Sequence, residues 1–249
     1  MIDRYLNKII CGDCLQVMRE IPSRSIDLIV TSPPYNIRNT SGHGILEGTR
    51  RWKNPPLQYG YAGHDDNMPH DKYVEWQRNS LEEMMRLLKD TGAIFYNHKW
   101  RVQHGLLQDR ADIVGGFPVR QIIIWQRAGS VNFNNRFFCP TYEVIYVIAK
   151  RDFGLLPKAN GAGDIWRINQ DSKNKHPAPF PVDIPDRIIR STDAQIILDP
   201  FIGSGTTAVA AKRLRRQYIG IELSPDYCRM AEARIQKDNF VFAIQRELF

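Results

Sequence analysis

Short runs of nearly continuous apolar residues recur along the chain, bounded by turn residues within a few positions. They are IDLIV (26–30), GAIFYN (92–97), QIIIWQ (121–126), YEVIYVIA (142–149), QIILD (195–199) and YIGIEL (218–223). These runs are too short for core helices and rich in β-branched residues, the pattern of strands buried on both faces. Between them lie helical candidates. The clearest spans 71–90, where Tyr73, Trp76, Leu81, Met84, Met85 and Leu88 approximate one stripe before Gly92. Others cover 14–20, 99–113, 185–190, 206–215 and 224–237, the last with Ser224 as N-cap and Pro225 at the first helical position. Strands alternating with helices predict an α/β fold built on a doubly wound, mostly parallel twisted sheet.

Segments 38–70, 127–136 and 151–181 break the pattern, being polar and interrupted by Gly and Pro. Connections of that length without periodicity are functional or mobile. No repeat or low-complexity linker separates them, so 1–249 is read as a single domain with insertions at 38–70 and 128–175.

Composition narrows the function classes. The chain has 249 residues, 43% hydrophobic, enough for one sizeable core. With 24% charged residues and a mean hydropathy of -0.41, no stretch approaches the roughly 20 apolar residues of a membrane span. The N-terminal MIDRYLNKIICGDC lacks the apolar run and cleavage pattern of a signal peptide, so a cytoplasmic location is expected. A net charge of +7 favours a polyanionic partner. Cys11 and Cys14 form a C-x-x-C, but Cys139 and Cys228 stand alone, which supplies neither a second zinc half-site nor a thioredoxin context. His98 and His104 have no Cys or carboxylate at ligand spacing and read as structural or solvated, so no metal is expected.

Two motifs carry chemistry. TSPPYN (31–36) follows a strand, at the sheet edge where α/β folds bind ligands. Its two prolines remove N–H donors and leave carbonyls that only accept, beside a Ser hydroxyl and an aromatic ring. Such a loop suits a planar group bearing an exocyclic NH2, although a Pro-rich turn can also merely end a strand. The second motif, DPFIGSGTT (199–207), follows a strand and opens a helix. Gly203 and Gly205 allow close backbone approach to a ligand, and the helix start adds oriented N–H groups. It is not G-x-G-x-x-G, which weakens a dinucleotide reading. One strand later, Glu222 ends IGIEL at the separation where an acid takes ribose hydroxyls; a solvated cap is the plainer alternative for a lone Glu.

Together these residues resemble the amino DNA methyltransferases. DPFIGSGTT with IGIEL looks like their S-adenosylmethionine loop and ribose-binding acid, and TSPPY like their catalytic motif. The catalytic motif precedes the cofactor loop, as in the permuted, beta-type order. NKIICGDCLQVM resembles the segment whose acid, here Asp13, contacts the cofactor adenine. HPAPFPVDIPDRII (176–189) resembles the segment that closes over the methionine end; His176 there is read as ordering the loop.

The resemblance implies the Rossmann-like methyltransferase fold, S-adenosylmethionine as cofactor and double-stranded DNA as substrate, without metal. It implies a cofactor site formed by Asp13, Thr31, Phe180, Asp199, Pro200, Phe201, Gly203, Ser204, Gly205, Thr206, Thr207, Glu222 and Leu223. The target base would be flipped out of the duplex. Tyr35 would hold it, while Ser32 and the Pro33 carbonyl, with Pro34 shaping the loop, accept the amino hydrogens as nitrogen attacks the methyl. Ring-carbon methylation would need a Pro-Cys nucleophile, and the chain offers only the reverse order at Cys139 and Pro140.

In the family, S-P-P-Y goes most often with N4 of cytosine, and Asp or Asn in place of Ser32 with N6 of adenine. Cytosine is therefore favoured, with adenine as the alternative. DNA contact is expected from 38–70, where Arg38, Arg50, Arg51 and Lys53 interleave with Trp52, Tyr59 and Tyr61, unless this is a solvated loop. KRLRR (212–216) is read as cations at a helix C-terminus. Region 128–170 is short for a separate recognition domain, which points to a second copy of the chain, and the family often works beside a separate restriction endonuclease. An RNA or protein-amide methyltransferase would place the cofactor loop first, and an inactive binding module would not keep both motifs intact.

Overall fold

The computed structural model describes residues 1–36, 67–103, 105–127, 135–169 and 181–238. Arg38, Arg50, Arg51, Lys53, His104, His176 and Phe180 lie outside them. The strands are β1 (Lys8–Cys11), β2 (Ile26–Thr31), β3 (Leu88–His98), β4 (Arg101–Gln103), β5 (Leu106–Gln108), β6 (Val119–Gln126), β7 (Tyr142–Ala149), β8 (Ile165–Arg167), β9 (Ile196–Asp199) and β10 (Gln217–Glu222). The α-helices are α1 (Cys14–Glu20), α2 (His70–Leu87), α3 (Ala111–Val114), α4 (Asp183–Arg190), α5 (Thr206–Arg213) and α6 (Pro225–Lys237).

One sheet has the order β1-β10-β9-β2-β3-β7-β6-β8, and β4 with β5 forms a separate hairpin. Strands β1 through β3 in that order pair in parallel. β7 runs antiparallel to both β3 and β6, so the sheet is mixed but mostly parallel, as the unbroken apolar runs predict. From the β9/β2 boundary the chain builds outward both ways, to β10 in one direction and β3 in the other. That reversal opens a crevice at the carboxyl ends of the central strands.

Both faces are covered. Ile29, Ile94 and Tyr96 pack with Met18 of α1 and Leu81, Met84 and Leu87 of α2. The alternate residues Leu28, Val30, Ala93 and Phe95 pack with Ile184, Ile188 and Ile189 of α4 and Ala210 and Ala211 of α5. Period-2 side-chain alternation makes 28–31 of β2 and 92–98 of β3 core positions on both faces, while Asp90 and Thr91 near the start of β3 stay exposed. Each fully buried Ile or Leu contributes about 1.5–3 kcal/mol relative to an exposed one.

The expected helix over 99–113 is not formed. Its first half is the β4–β5 hairpin, turning at Gly105 with φ 79°, and only the four residues of α3 are α-helical. A left-handed glycine in mid-segment, together with the β-branched Val102 on the strand, outweighs the scattered apolar positions. Strand β1 and the short β8 were not among the expected strands, and β7 and β8 occupy part of the expected 128–175 insertion. Ser224 caps α6 by accepting from Tyr227 N–H, with Pro225 at its start, as expected.

Candidate active site

Loop 32–36 leaves β2 beside the last residues of β3, because Thr31 and Tyr96 are register partners. Its geometry is fixed from below by backbone acceptance: the Pro34 carbonyl takes the Tyr73 hydroxyl at 2.8 Å and Gln77 Nε2 at 3.2 Å, both from α2. Gln77 in turn accepts from Tyr96 at 2.6 Å. His98 Nε2 lies 2.8 Å from the same Tyr73 hydroxyl, and burial, helped by Arg110, pushes its pKa down to about 3. His98 is therefore a neutral, buried prop with its Nδ1 3.1 Å from the Lys99 carbonyl, in keeping with the structural reading. Among the described residues no hydrogen bond reaches the Pro33 carbonyl, so of the two proline carbonyls one is occupied and one is open.

Tyr35 is only 7% exposed, its ring 5.0 Å from that of His98. Its hydroxyl lies 2.6 Å from Ser32 Oγ and donates to Glu143 Oε2 at 3.1 Å. Asn97, near the end of β3, sends Nδ2 to the Tyr35 hydroxyl at 2.7 Å, to Glu143 Oε2 at 2.9 Å and to Ser32 Oγ at 3.3 Å. Arg127 stands 3.3 Å from Glu143 Oε1 and balances the buried charge. Asn97, Glu143 and Arg127 escaped the sequence reading. For Asn97 and Glu143 the available signal was a polar residue inside the runs GAIFYN and YEVIYVIA, where an unpaired polar group would be costly; Arg127 carried no such signal.

On the other side of the crevice, Asp199 is 1% exposed and braces two loops. Thr31 Oγ1 donates to its Oδ1 at 2.7 Å, Thr207 Oγ1 to its Oδ2 at 2.7 Å, and Phe201 N–H to its Oδ1 at 3.0 Å. Burial nevertheless lifts the Asp199 carboxyl to about 6. Thr31 and Thr207 thus spend their side chains tying the Pro-Pro-Tyr loop to the glycine loop. Gly205 (φ 85°) begins α5, and a Cβ there would lie 3.1 Å from Ala231 of α6. Arg234 of α6 holds Ser204 and Thr206 by their oxygens at 3.2 and 2.9 Å.

Glu222 ends β10, where Gly203 N–H donates to one carboxylate oxygen at 3.0 Å and Ser224 N–H to the other at 2.9 Å. Burial raises its pKa. Cys11 is its register partner, so Asp13, two residues on, stands beside it on the neighbouring strand end and caps α1 by accepting from Gln16 N–H at 3.0 Å. Leu223 is exposed, Phe201 half-buried against Trp76, and Pro200 buried in the turn after β9. The expected residues within the described chain therefore line one edge, from Asp13 through Glu222, 199–207 and 31–35. Of the C-x-x-C pair, Cys11 is exposed while Cys14 is buried, its thiol pushed up to about 12, and acts as a core group.

The family model described as DNA methylase matches residues 26–233. The chain is 30% identical to the Type II methyltransferase M.BglII of Bacillus subtilis, covering 92% of this chain and 68% of that one. Its fold is similar to that of the PvuII DNA methyltransferase, described as cytosine-N4-specific, with a TM-score of 0.70 at 19% identity over 94% of this chain and 87% of that chain. The protein TTHA0409 of Thermus thermophilus, solved with S-adenosyl-L-methionine, aligns with a TM-score of 0.65 at 23% identity over 92% of each chain.

Proposed function

The chain belongs to the DNA methylase family, and from that premise we propose that it methylates the N4 amino group of cytosine in duplex DNA, using S-adenosylmethionine. The observation that carries the reading is the pair of acceptors, the Ser32 hydroxyl and the open Pro33 carbonyl, beside a glycine loop whose Gly203 N–H is bonded to Glu222. An exocyclic amino group offers two hydrogens, and two acceptors in the same short loop as a buried tyrosine match it.

The residues present fit the cofactor. Each Glu222 oxygen takes one backbone N–H and keeps a lone pair for a sugar hydroxyl, and the Asp13 carboxylate beside it has acceptor capacity to spare. Gly203 and Ser204 line the turn into α5, whose start supplies oriented backbone N–H groups for a ligand. S-adenosylmethionine, when bound, supplies an electrophilic methyl group. Ser32 Oγ and the Pro33 carbonyl accept the amino hydrogens and localise the lone pair on nitrogen, and the Asp199 brace holds the two half-sites at fixed separation. Phe180 and the cations Arg38, Arg50, Arg51 and Lys53 are assigned to cofactor cover and to phosphate contact by their sequence alone. A second copy of the chain and a separately acting restriction endonuclease complete the proposed setting.

Unmethylated genomic DNA incubated with the protein and the cofactor, then digested to nucleosides for mass spectrometry, tests this. N4-methylcytosine is the expected product. N6-methyladenine would keep fold, cofactor and mechanism while overturning the base assignment drawn from Ser32.

A further inference from the structure

A serine hydroxyl accepts a hydrogen bond at the target nitrogen only if its own hydrogen is directed elsewhere. We infer that Glu143, on the opposite side of the catalytic loop, sets that direction and is a positioning residue for the methyl transfer, an inference that rests on the function proposed above.

The argument is one of donor counting. The Glu143 carboxylate, faced by Arg127 at 3.3 Å, only accepts. Tyr35 has a single hydroxyl hydrogen and donates it to Glu143 Oε2 at 3.1 Å. The Tyr35 oxygen is then left to accept, which it does from Asn97 Nδ2 at 2.7 Å. Ser32 Oγ, 2.6 Å away, can be bonded to that oxygen only by giving its own hydrogen. The chain therefore runs Ser32 to Tyr35 to Glu143; one Ser32 lone pair takes the longer contact from Asn97 Nδ2 at 3.3 Å, and the other is left as an acceptor. Asn97 Nδ2 donates to Tyr35 and Glu143 and, at the longer 3.3 Å, to Ser32, so that nitrogen offers no alternative acceptor to either hydroxyl. Replacing the carboxylate by an amide puts a donor within reach of Tyr35, which lets the whole chain reverse. A reversed Ser32 points a hydrogen at an amino group and repels it.

Buried links of this kind act as a unit, since Glu143 is 6% and Tyr35 7% exposed. The expected effect is on the rate and not on binding, because neither Glu143 nor the Tyr35 hydroxyl belongs to the cofactor half-site. The test compares Glu143→Gln, Tyr35→Phe, Ser32→Ala and the Ser32→Ala/Glu143→Gln pair with the wild type. Single-turnover methylation of DNA is measured along with KM for DNA and S-adenosylmethionine affinity by calorimetry. Glu143→Gln should slow the transfer by about 100-fold, the scale of losing one preorganised polar contact, with KM and cofactor affinity within about twofold. The double variant should be no slower than Ser32→Ala alone, because Glu143 acts through Ser32. A Glu143→Gln rate within about threefold of wild type, or penalties that add, would overturn the inference. Tyr35→Phe keeps the ring and breaks the same chain at its middle link, so it decides the matter if Glu143→Gln does not fold. A wild type that methylates no base in DNA overturns the parent function as well, whereas an active wild type with an unaffected Glu143→Gln overturns only this inference.

Discussion

Tyr35 combines two jobs at the residue scale, a ring beside the crevice and a hydroxyl inside a buried hydrogen-bond chain, so its removal is more damaging than a loss of stacking alone. Tyr35→Ala should reduce turnover by at least about 100-fold while S-adenosylmethionine affinity, read by calorimetry, stays within about twofold. A wild-type rate would remove 31–35 from the chemistry. Asp199 makes a different prediction. Burial raises its folded pKa from 3.8 to about 6, so the native state holds the proton more tightly than the unfolded one. That contribution to stability is complete below about pH 4 and is lost as pH rises through about 6. Urea unfolding should show the wild type losing about 1–3 kcal/mol between pH 4 and pH 7 that Asp199→Asn does not lose. Parallel curves for the two proteins would mean that the carboxylate is already ionised at pH 4.

At the scale of elements, the turn from β9 into α5 is held by a left-handed glycine packed against α6. Gly205→Ala adds a Cβ 3.1 Å from the Ala231 Cα on top of an unfavourable positive φ of 85°. The conformational part alone costs about 1–2 kcal/mol. Gly105, at the β4–β5 turn, has a similar φ of 79° with open space around it. Gly105→Ala should therefore lower the urea midpoint less than Gly205→Ala, and equal losses would show that contact with α6 contributes nothing. The same two glycines explain the uneven success of reading elements from sequence. Gly205 falls where a strand meets a helix and was legible, whereas Gly105 falls inside a segment whose apolar spacing imitates a helix. Helix periodicity over 99–113 competes with a turn that only chain reversal rewards, and no local pattern states which prevails.

For the whole molecule, the brace between Asp199, Thr31 and Thr207 joins the two loops across the sheet's reversal point. A ligand bound at one edge should stabilise the entire domain. S-adenosylmethionine at about 100 times its dissociation constant should add about 2.7 kcal/mol to stability and raise the melting temperature by about 5–10 °C, measurable by scanning fluorimetry. An unchanged melting temperature would contradict the cofactor assignment. A net charge of +7 further predicts that DNA affinity falls at least about tenfold between 50 and 200 mM salt. A flat salt response in a gel-shift titration would speak against phosphate contacts.

The sequence by itself determined six strands of the sheet, since short β-branched runs flanked by turn residues favour buried strands, and it determined the two loops, where prolines fix the backbone and glycines let it turn. It also placed Ser32, Pro33 and Glu222 at strand ends, and Gly203 in the loop after one, by local order alone. Only the tertiary structure decided the company they keep. Asn97 and Glu143 are 46 residues apart in sequence and meet because β3 and β7 pair antiparallel. Asp199 reaches Thr31 across 168 residues because β9 and β2 are neighbours at the permuted centre of the sheet. Register and strand order are set by the packing of both faces at once, and a hydrogen bond across such a distance leaves no mark on local composition.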